Sequence, residues 1–175
     1  EGSNQLEKLA ETYLDLSWVY LLIPRNDLSL EYGLKALEAF QKLGNRAKVA
    51  YVQNEIAYVY LINENYEPAL PFLEASLSYY KGADEPTKLG YLYDRFQMYY
   101  RGVGDFKRGL DYAAKAISVM DQLEDKSYLA GVLISRANLY QKFEQYEKAE
   151  QDFLSAKNHA VASGYLLYDV EADRE

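Results

Sequence analysis

Residues 137–156 read ANLYQKFEQYEKAEQDFLSA, and the chain repeats the pattern of this stretch every 40 residues. A tyrosine recurs at this period, as Tyr20, Tyr60, Tyr100 and Tyr140, and small residues follow it at two fixed offsets. The small residues are Ser29, Ala69, Gly109 and Ala149 at the nearer offset, and Ala36, Ser76, Ala116 and Ala156 at the farther one. Self-similarity at a fixed period of about 20–50 residues indicates a solenoid, in which each repeat buries its apolar face against its neighbours.

Each repeat has the pattern of two helices joined by a short turn. In the second repeat, Gln53, Ile56, Ala57 and Tyr60 have the i, i+3, i+4, i+7 spacing of one helix face. Pro71 lies one turn inside the helix that should follow, which predicts that this helix starts late or bends. Strand patterns are absent from the sequence, so we predict an all-α fold.

The four repeats register without a gap and predict a single array over residues 6–164. Their expected bounds are about 10–49, 50–89, 90–129 and 130–164. Residues 165–175 are expected to begin a further helix that caps the array or links it to something else. Because the chain ends within that helix, we expect it to be a fragment of a longer protein.

The spacing of small and aromatic residues resembles the tetratricopeptide repeat (TPR). The fourth repeat shows the resemblance best, through Leu133, Ala137, Tyr140, Tyr146, Ala149, Phe153 and Ala156. Two features depart from the family, since the period of 40 exceeds the usual value of about 34 and Gln97 replaces a small residue in the third repeat. The resemblance implies a right-handed α-α superhelix. Long repeats of this kind look like those of bacterial signalling proteins, where the array precedes a diguanylate cyclase (GGDEF), a histidine kinase or a DNA-binding regulator.

In this family the first helix of each pair lines a concave groove, and the matching positions are the candidate site here. These positions hold Trp18, Tyr51, Asn54, Tyr58, Tyr91, Asp94, Arg95, Met98, Arg101 and Asn138. Large aromatic side chains and arginine are typical of the residues that dominate protein interfaces. The resemblance therefore implies that a protein or peptide segment binds in the groove. For Trp18 the alternative is that it packs on a preceding element or seals the end of the array.

Two finer hypotheses concern charged ligands. Arg95 and Arg101, near Asp94, could hold a carboxylate, but an ion pair on a wet surface is the favoured alternative. Relatives that grip the C-terminal carboxylate of chaperones use Lys, Asn and Arg at fixed positions. Here those positions hold Leu14, Trp18, Asn54, Tyr91 and Arg95, of which two fit, so chaperone-tail binding is not expected.

The composition of the chain argues against nucleic acids and membranes as partners. The net charge of −8 argues against nucleic acid, which is bound by clustered Lys and Arg. No apolar run approaches the roughly 20 residues of a membrane span, so we expect no membrane insertion. The chain contains no cysteine, which excludes disulfides and thiolate metal sites and fits a cytoplasmic location.

Catalytic chemistry is not expected within these residues. The only histidine, His159, has no partner motif, and Gly102 and Gly104 follow a helix rather than the strand that a phosphate-binding loop requires. We therefore predict no catalytic, cofactor-binding or metal-binding residues. The leading hypothesis is a peptide-binding sensory or regulatory module. The alternative is a structural scaffold or dimerisation module without a groove ligand, and a homodimer is an expectation in either case.

Overall fold

The computed structural model describes residues 2–123 and 126–162, and these residues form eight α-helices joined by short turns. The helices are α1 (Gly2–Leu22), α2 (Asn26–Lys42), α3 (Arg46–Ile62), α4 (Tyr66–Tyr80), α5 (Pro86–Val103), α6 (Phe106–Met120), α7 (Ser127–Lys142) and α8 (Tyr146–Ala162). The described part of the chain contains no strand. The prediction of an all-α fold is therefore confirmed, whereas the helix expected over 165–175 lies outside the described residues.

The helices form two compact units, unit 1 (Glu1–Glu85) and unit 2 (Pro86–Glu175). Each unit contains two helical hairpins, and each hairpin corresponds to one predicted repeat. In unit 1 the hairpins α1–α2 and α3–α4 meet where α2 packs on α3. In unit 2 the hairpins α5–α6 and α7–α8 meet where α7 packs on both α6 and α5. The first helices of the two hairpins in unit 2 are therefore in direct contact.

The recurring small residues mark the packed positions of each hairpin. Ser29, Ala69, Gly109, Ala149, Ala36, Ser76, Ala116 and Ala156 are all buried. Several make close contacts: the Ser76 hydroxyl donates to the Ala50 carbonyl at 2.8 Å, and a Cβ added to Gly109 would meet Leu139 Cδ2 at 3.1 Å. Small side chains at these positions allow the helices to approach, which is why the sequence repeats them.

The repeated tyrosine also marks the turn inside each hairpin. Its backbone carbonyl accepts a hydrogen bond from the N–H five residues later in all four hairpins. The donors are Arg25 (2.8 Å), Asn65 (3.0 Å), Asp105 (2.9 Å) and Gln145 (2.9 Å). This bond is the six-to-one closure that satisfies a carbonyl at a helix C-terminus. The residue before the donor has a positive φ in three of the turns, at Glu64 (55°), Gly104 (81°) and Glu144 (59°).

Tyrosines beyond the repeated position pack between the helices of a hairpin. Tyr112 stacks on Phe96 at a ring-centroid distance of 4.6 Å and on Tyr100 at 5.4 Å. In unit 1, Tyr32 stacks on Tyr20 at 5.4 Å. Such pairs add to burial of the rings because offset stacking is favourable. The high tyrosine content therefore serves helix packing.

Two helix starts differ from the sequence prediction. α4 begins at Tyr66 and runs through Pro71, so the expected late start was wrong. Pro71 and Glu67 are both exposed, so water can satisfy the Glu67 carbonyl that loses its helical partner. α3 begins at Arg46, four residues before the predicted repeat boundary. The Asn45 side chain explains this, since its Oδ1 accepts from the Lys48 N–H at 3.1 Å and caps the helix.

Candidate functional site

In unit 1 the candidate residues lie on α1 and α3. Trp18, Tyr51 and Tyr58 are half-buried, and the first two pack against the core cluster of this unit. The half-burial of Trp18 therefore includes contacts within unit 1. An ion pair between Lys48 Nζ and Glu11 Oε1 at 2.9 Å links α3 to α1. The two first helices of unit 1 thus present aromatic side chains that are partly accessible to a partner.

Asn54, the fourth candidate in unit 1, is buried. Its side chain is 4% exposed, and its Oδ1 has no hydrogen-bond partner among the described residues. A buried polar atom without a partner is unfavourable. Asn54 is therefore not accessible at the surface of unit 1, in contrast to the half-buried Trp18, Tyr51 and Tyr58.

In unit 2 the candidate residues lie on α5 and α7. Tyr91 packs edge to face on Tyr128 of α7, with ring centroids 5.4 Å apart. Met98, Arg101 and Asn138 are half-buried. The candidate residues of the third and fourth repeats therefore lie on two helices that pack against each other.

The burial of Asp94 contradicts the expectation that it forms an ion pair on a wet surface. Its side chain is 7% exposed, so this carboxyl lies in the interior of unit 2. Burial raises the pKa of Asp94 to about 6, while the charge of Arg95 and a hydrogen bond from Ser135 oppose that rise. Arg95 is half-buried beside it. The sequence placed Asp94 on the correct helix but could not show its burial, because burial depends on how α5 packs against α7.

Gln97 is the site residue that sequence reasoning missed. It is fully buried, and its Nε2 donates to the Ser135 carbonyl of α7 at 2.9 Å. The sequence did contain a signal, since the equivalent positions hold Ser17, Ala57 and Ala137. A glutamine at a position of small residues has to reach a polar partner, and here the partner belongs to the next hairpin.

A cleft of about 330 Å³ lies elsewhere in unit 1. Gln41, Arg46, Gln53 and Tyr79 contribute to its walls, and no candidate residue of unit 1 does so. Its lining mixes carboxamides, a guanidinium, a phenol and short aliphatic groups. The cleft is therefore separate from the surface that contains Trp18, Tyr51 and Tyr58.

Across residues 2–123 and 126–162, no three histidine or acidic side chains are grouped so that they could hold a metal ion. No helix in the described part of the chain combines the length and the apolar composition that a bilayer crossing requires. The described candidate residues offer aromatic, amide and charged groups suited to contacts with another molecule.

Comparison with known proteins gives a likeness in structure and not in sequence. No protein-family model matches the chain, and no curated protein matches it. The structure is similar to that of BtubC (BKLC) from P. vanneervenii, with 20% identity and a TM-score of 0.74 over 95% of this chain and 69% of that protein. It is also similar to the apo form of RapI, with 20% identity and a TM-score of 0.76 over 90% of this chain and 57% of RapI.

Both structures are all-helical repeat proteins. At 20% identity the likeness shows the fold alone, and the chain spans little more than half of RapI. Together with the four matched hairpins, the comparisons show that the chain has the all-α, helical-repeat solenoid fold.

Proposed function

We propose that the chain is a TPR-like module that binds a protein or peptide segment. The observation that supports this most directly is the set of half-buried aromatic side chains Trp18, Tyr51 and Tyr58 on the first helices of unit 1. Rings that are anchored on a core yet partly accessible can bury apolar area against a partner at little cost in side-chain entropy. The likeness to other helical-repeat proteins supports a binding role for this fold.

The proposal extends to the setting of the module. We place it in the cytoplasm, as the sensory or regulatory region of a larger bacterial signalling protein with a GGDEF, histidine kinase or DNA-binding output domain. The partner segment, an amphipathic helix or an extended peptide, docks along the first helices of a unit. Docking then changes the position of the attached output domain. In this proposal the residues of the chain bind and position, and any catalysis takes place in another domain.

A second function is favoured by a different observation. On α8, Phe153 (38% exposed), Leu154 (56%) and Val161 (64%) present apolar side chains at the surface. Apolar side chains gathered on one exposed helix are typical of contacts with another chain. The alternative is therefore a scaffold that forms a homodimer through the α7–α8 hairpin and has no ligand in the groove.

One experiment tests the proposal and separates it from the alternative. The full chain would be screened against a displayed library of random peptides, and the affinity of selected peptides measured by fluorescence anisotropy. We expect Tyr58→Ala to weaken at least tenfold the binding of peptides that dock on unit 1, and Tyr91→Ala that of peptides that dock on unit 2, since each removes an aromatic contact at the interface. Circular dichroism should show unchanged helical content in both variants.

Tyr146→Ala is the matched control. Tyr146 is 60% exposed on the second helix α8, outside the candidate surface, so its loss should leave peptide affinity unchanged. Selected peptides that bind equally well to all three variants would contradict the proposed groove. Failure to select any peptide, together with a dimer mass in light scattering that Val161→Glu reduces to the monomer, would establish the scaffold alternative.

A further inference from the structure

Unit 2 contains two buried hydrogen-bond acceptors that lie three residues apart on α5. Asp94 Oδ1 and Gln97 Oε1 are both inaccessible to water, and neither has a hydrogen-bond partner among the described residues. Residues separated by three positions share one face of a helix. Two acceptors that lack donors on the same buried face are unfavourable, because each has lost its hydration without compensation.

Both side chains are held by Ser135 of α7. The Ser135 hydroxyl donates to the Asp94 carboxyl, and the Gln97 Nε2 donates to the Ser135 carbonyl at 2.9 Å. The second bond establishes the orientation of the Gln97 amide, since its nitrogen can donate to a carbonyl and its oxygen cannot. Gln97 Oε1 is therefore the free atom of the amide, and Asp94 and Gln97 contact the same residue of α7.

We propose that a proton-dependent hydrogen bond joins Asp94 to Gln97, in which the protonated Asp94 carboxyl donates to Gln97 Oε1. A carboxyl group is the one member of this set that can become a donor by taking up a proton. A single proton on Asp94 Oδ1 then satisfies both free acceptors, while the other carboxyl oxygen keeps the bond from Ser135. The protonated form thus connects two neighbouring side chains of α5 to the same residue of α7.

The charges around this group determine where it titrates. On α5 itself, Arg95 and Arg101 act on Asp94 and favour its ionised form, as does the hydroxyl of Ser135 on α7. On α7 the neighbouring Arg136 is engaged with Asp152 of α8. Burial outweighs the groups that act on Asp94 and raises its pKa from 3.8 to about 6. The folded protein therefore takes up this proton at higher pH than the unfolded chain.

The direction in which pH changes stability follows from the difference in proton uptake between the folded and the unfolded chain. Between about pH 6 and pH 3.8 the folded state binds more protons at Asp94 than the unfolded state does. The contribution of Asp94 to stability must therefore increase as the pH falls through this window, and it decreases as the pH rises to 6. Contact between α5 and α7 should accordingly strengthen on mild acidification.

The first test measures the proton directly. The carboxyl carbon of Asp94 in the full chain would be followed by NMR as a function of pH, with a midpoint expected near 6. Gln97→Met keeps the bulk of the side chain and removes the acceptor, so the midpoint should fall by about one pH unit, a tenfold loss in proton affinity. Gln141→Met, at an exposed amide of α7, is the control and should leave the midpoint unchanged.

Two results would overturn the proposal. A wild-type midpoint near 4 would show that Asp94 titrates at its ordinary value in the folded protein, and a midpoint that Gln97→Met does not move would show that Gln97 does not accept a hydrogen bond from the protonated carboxyl. Asp94→Asn gives a second test that is independent of Gln97 substitution, because the amide N–H imitates the protonated carboxyl. Its urea midpoint should exceed that of the wild type by a larger margin at pH 7.5 than at pH 5, because at pH 5 the wild type has regained part of its proton-linked stability. If the urea midpoints of Asp94→Asn and the wild type differed by the same amount at both pH values, the proposal would be contradicted.

Discussion

The hairpins α5–α6 and α7–α8 use opposite chemistry at the same position. In α5–α6, Phe96 stacks on Tyr112 with an interplanar angle of 13°. In α7–α8 the equivalent residues, 40 positions later, are Arg136 and Asp152. Nε and Nη2 of Arg136 donate to Oδ2 and Oδ1 of Asp152, both at 2.7 Å. One hairpin is therefore joined by an aromatic stack and the next by a bidentate ion pair.

The two hairpins of unit 2 thus keep a contact at this position while the residue types that make it change. Asp152 is 6% exposed, and a carboxylate at that depth is tolerated because both of its oxygens receive charge-assisted bonds. The same bonds raise the pKa of the Arg136 guanidinium, against the effect of burial. Either kind of pair can join the two helices of a hairpin, provided that its two side chains are chemically complementary.

The hairpins of unit 1 show which arrangement is the usual one. Their equivalent pairs are Leu16 with Tyr32, and Ile56 with Phe72. Ile56 is fully buried, and the other three residues are half-buried. Three of the four hairpins thus place apolar residues at this position, and α7–α8 is the exception.

The largest effect is expected from breaking the aromatic pair. Phe96→Ala should lower the free energy of unfolding by about 3–5 kcal/mol, since Phe96 is 1% exposed and its removal leaves a cavity beside Tyr112. Urea denaturation followed by circular dichroism measures the change. Leu154→Ala, at a side chain that is 56% exposed, should cost below about 1 kcal/mol. Similar losses for both variants would show that the stack does not close the hairpin.

Breaking the ion pair should have the next largest effect. Arg136→Ala leaves the buried Asp152 carboxylate without its partner, at an expected cost of about 3 kcal/mol. This cost lies at the lower end of the range for breaking buried ion pairs, because the Arg136 side chain is 26% exposed. The measurement is again the urea midpoint, taken at pH 7, where a lone carboxylate would be ionised in water.

A double substitution then tests whether the two kinds of pair are interchangeable. Arg136→Phe with Asp152→Tyr installs the α5–α6 residues in α7–α8 and should recover most of the stability that Arg136→Ala loses. Each single substitution should remain destabilising, so that the coupling of the two in a double-mutant cycle is favourable. Additive losses would mean that the hairpins differ in more than this pair.

The smallest effect concerns the turns of the same two hairpins. Gly104 and Glu144 occupy equivalent positions, and both have a positive φ. Gly104→Ala should cost about 1 kcal/mol, because a side chain disfavours this backbone conformation. Glu144→Gly should relieve that strain and raise stability slightly. The gain should be smaller than the loss from Gly104→Ala, because glycine also gains conformational freedom in the unfolded chain. Thermal denaturation of the two variants would reveal the opposite directions, and a larger loss for Glu144→Gly would contradict the account.

Local patterns explain why so much of the fold is predictable. The small residues recur because helices must approach at the same points in every hairpin, and these points can be counted along the chain without knowing what packs there. The turn after each repeated tyrosine is similarly local, since its hydrogen bond spans five residues. The expected late start at Pro71 was wrong because the start depends on the solvation of one carbonyl, and periodicity contains no information about solvation.

The candidate site was predictable only as a set of positions. The alignment of the 40-residue repeats indicates which helices bear the candidate site. The half-burial of Trp18, Tyr51 and Tyr58 is consistent with that indication. The burial of Asp94 and its contact with Ser135 were not predictable, because the two residues are 41 positions apart and belong to different hairpins.

The helices, their pairing into hairpins and the positions at which they pack follow from short-range spacing and its repetition along the chain. Which polar groups lose contact with water, and which partners they find, depends on how the helices pack in three dimensions. Arg136 meets Asp152 across one hairpin, and Asp94 and Gln97 meet Ser135 across two. The physical reason is that desolvation is a property of the assembled surroundings, so the same residue type is a surface ion on one helix and a buried titrating group on another.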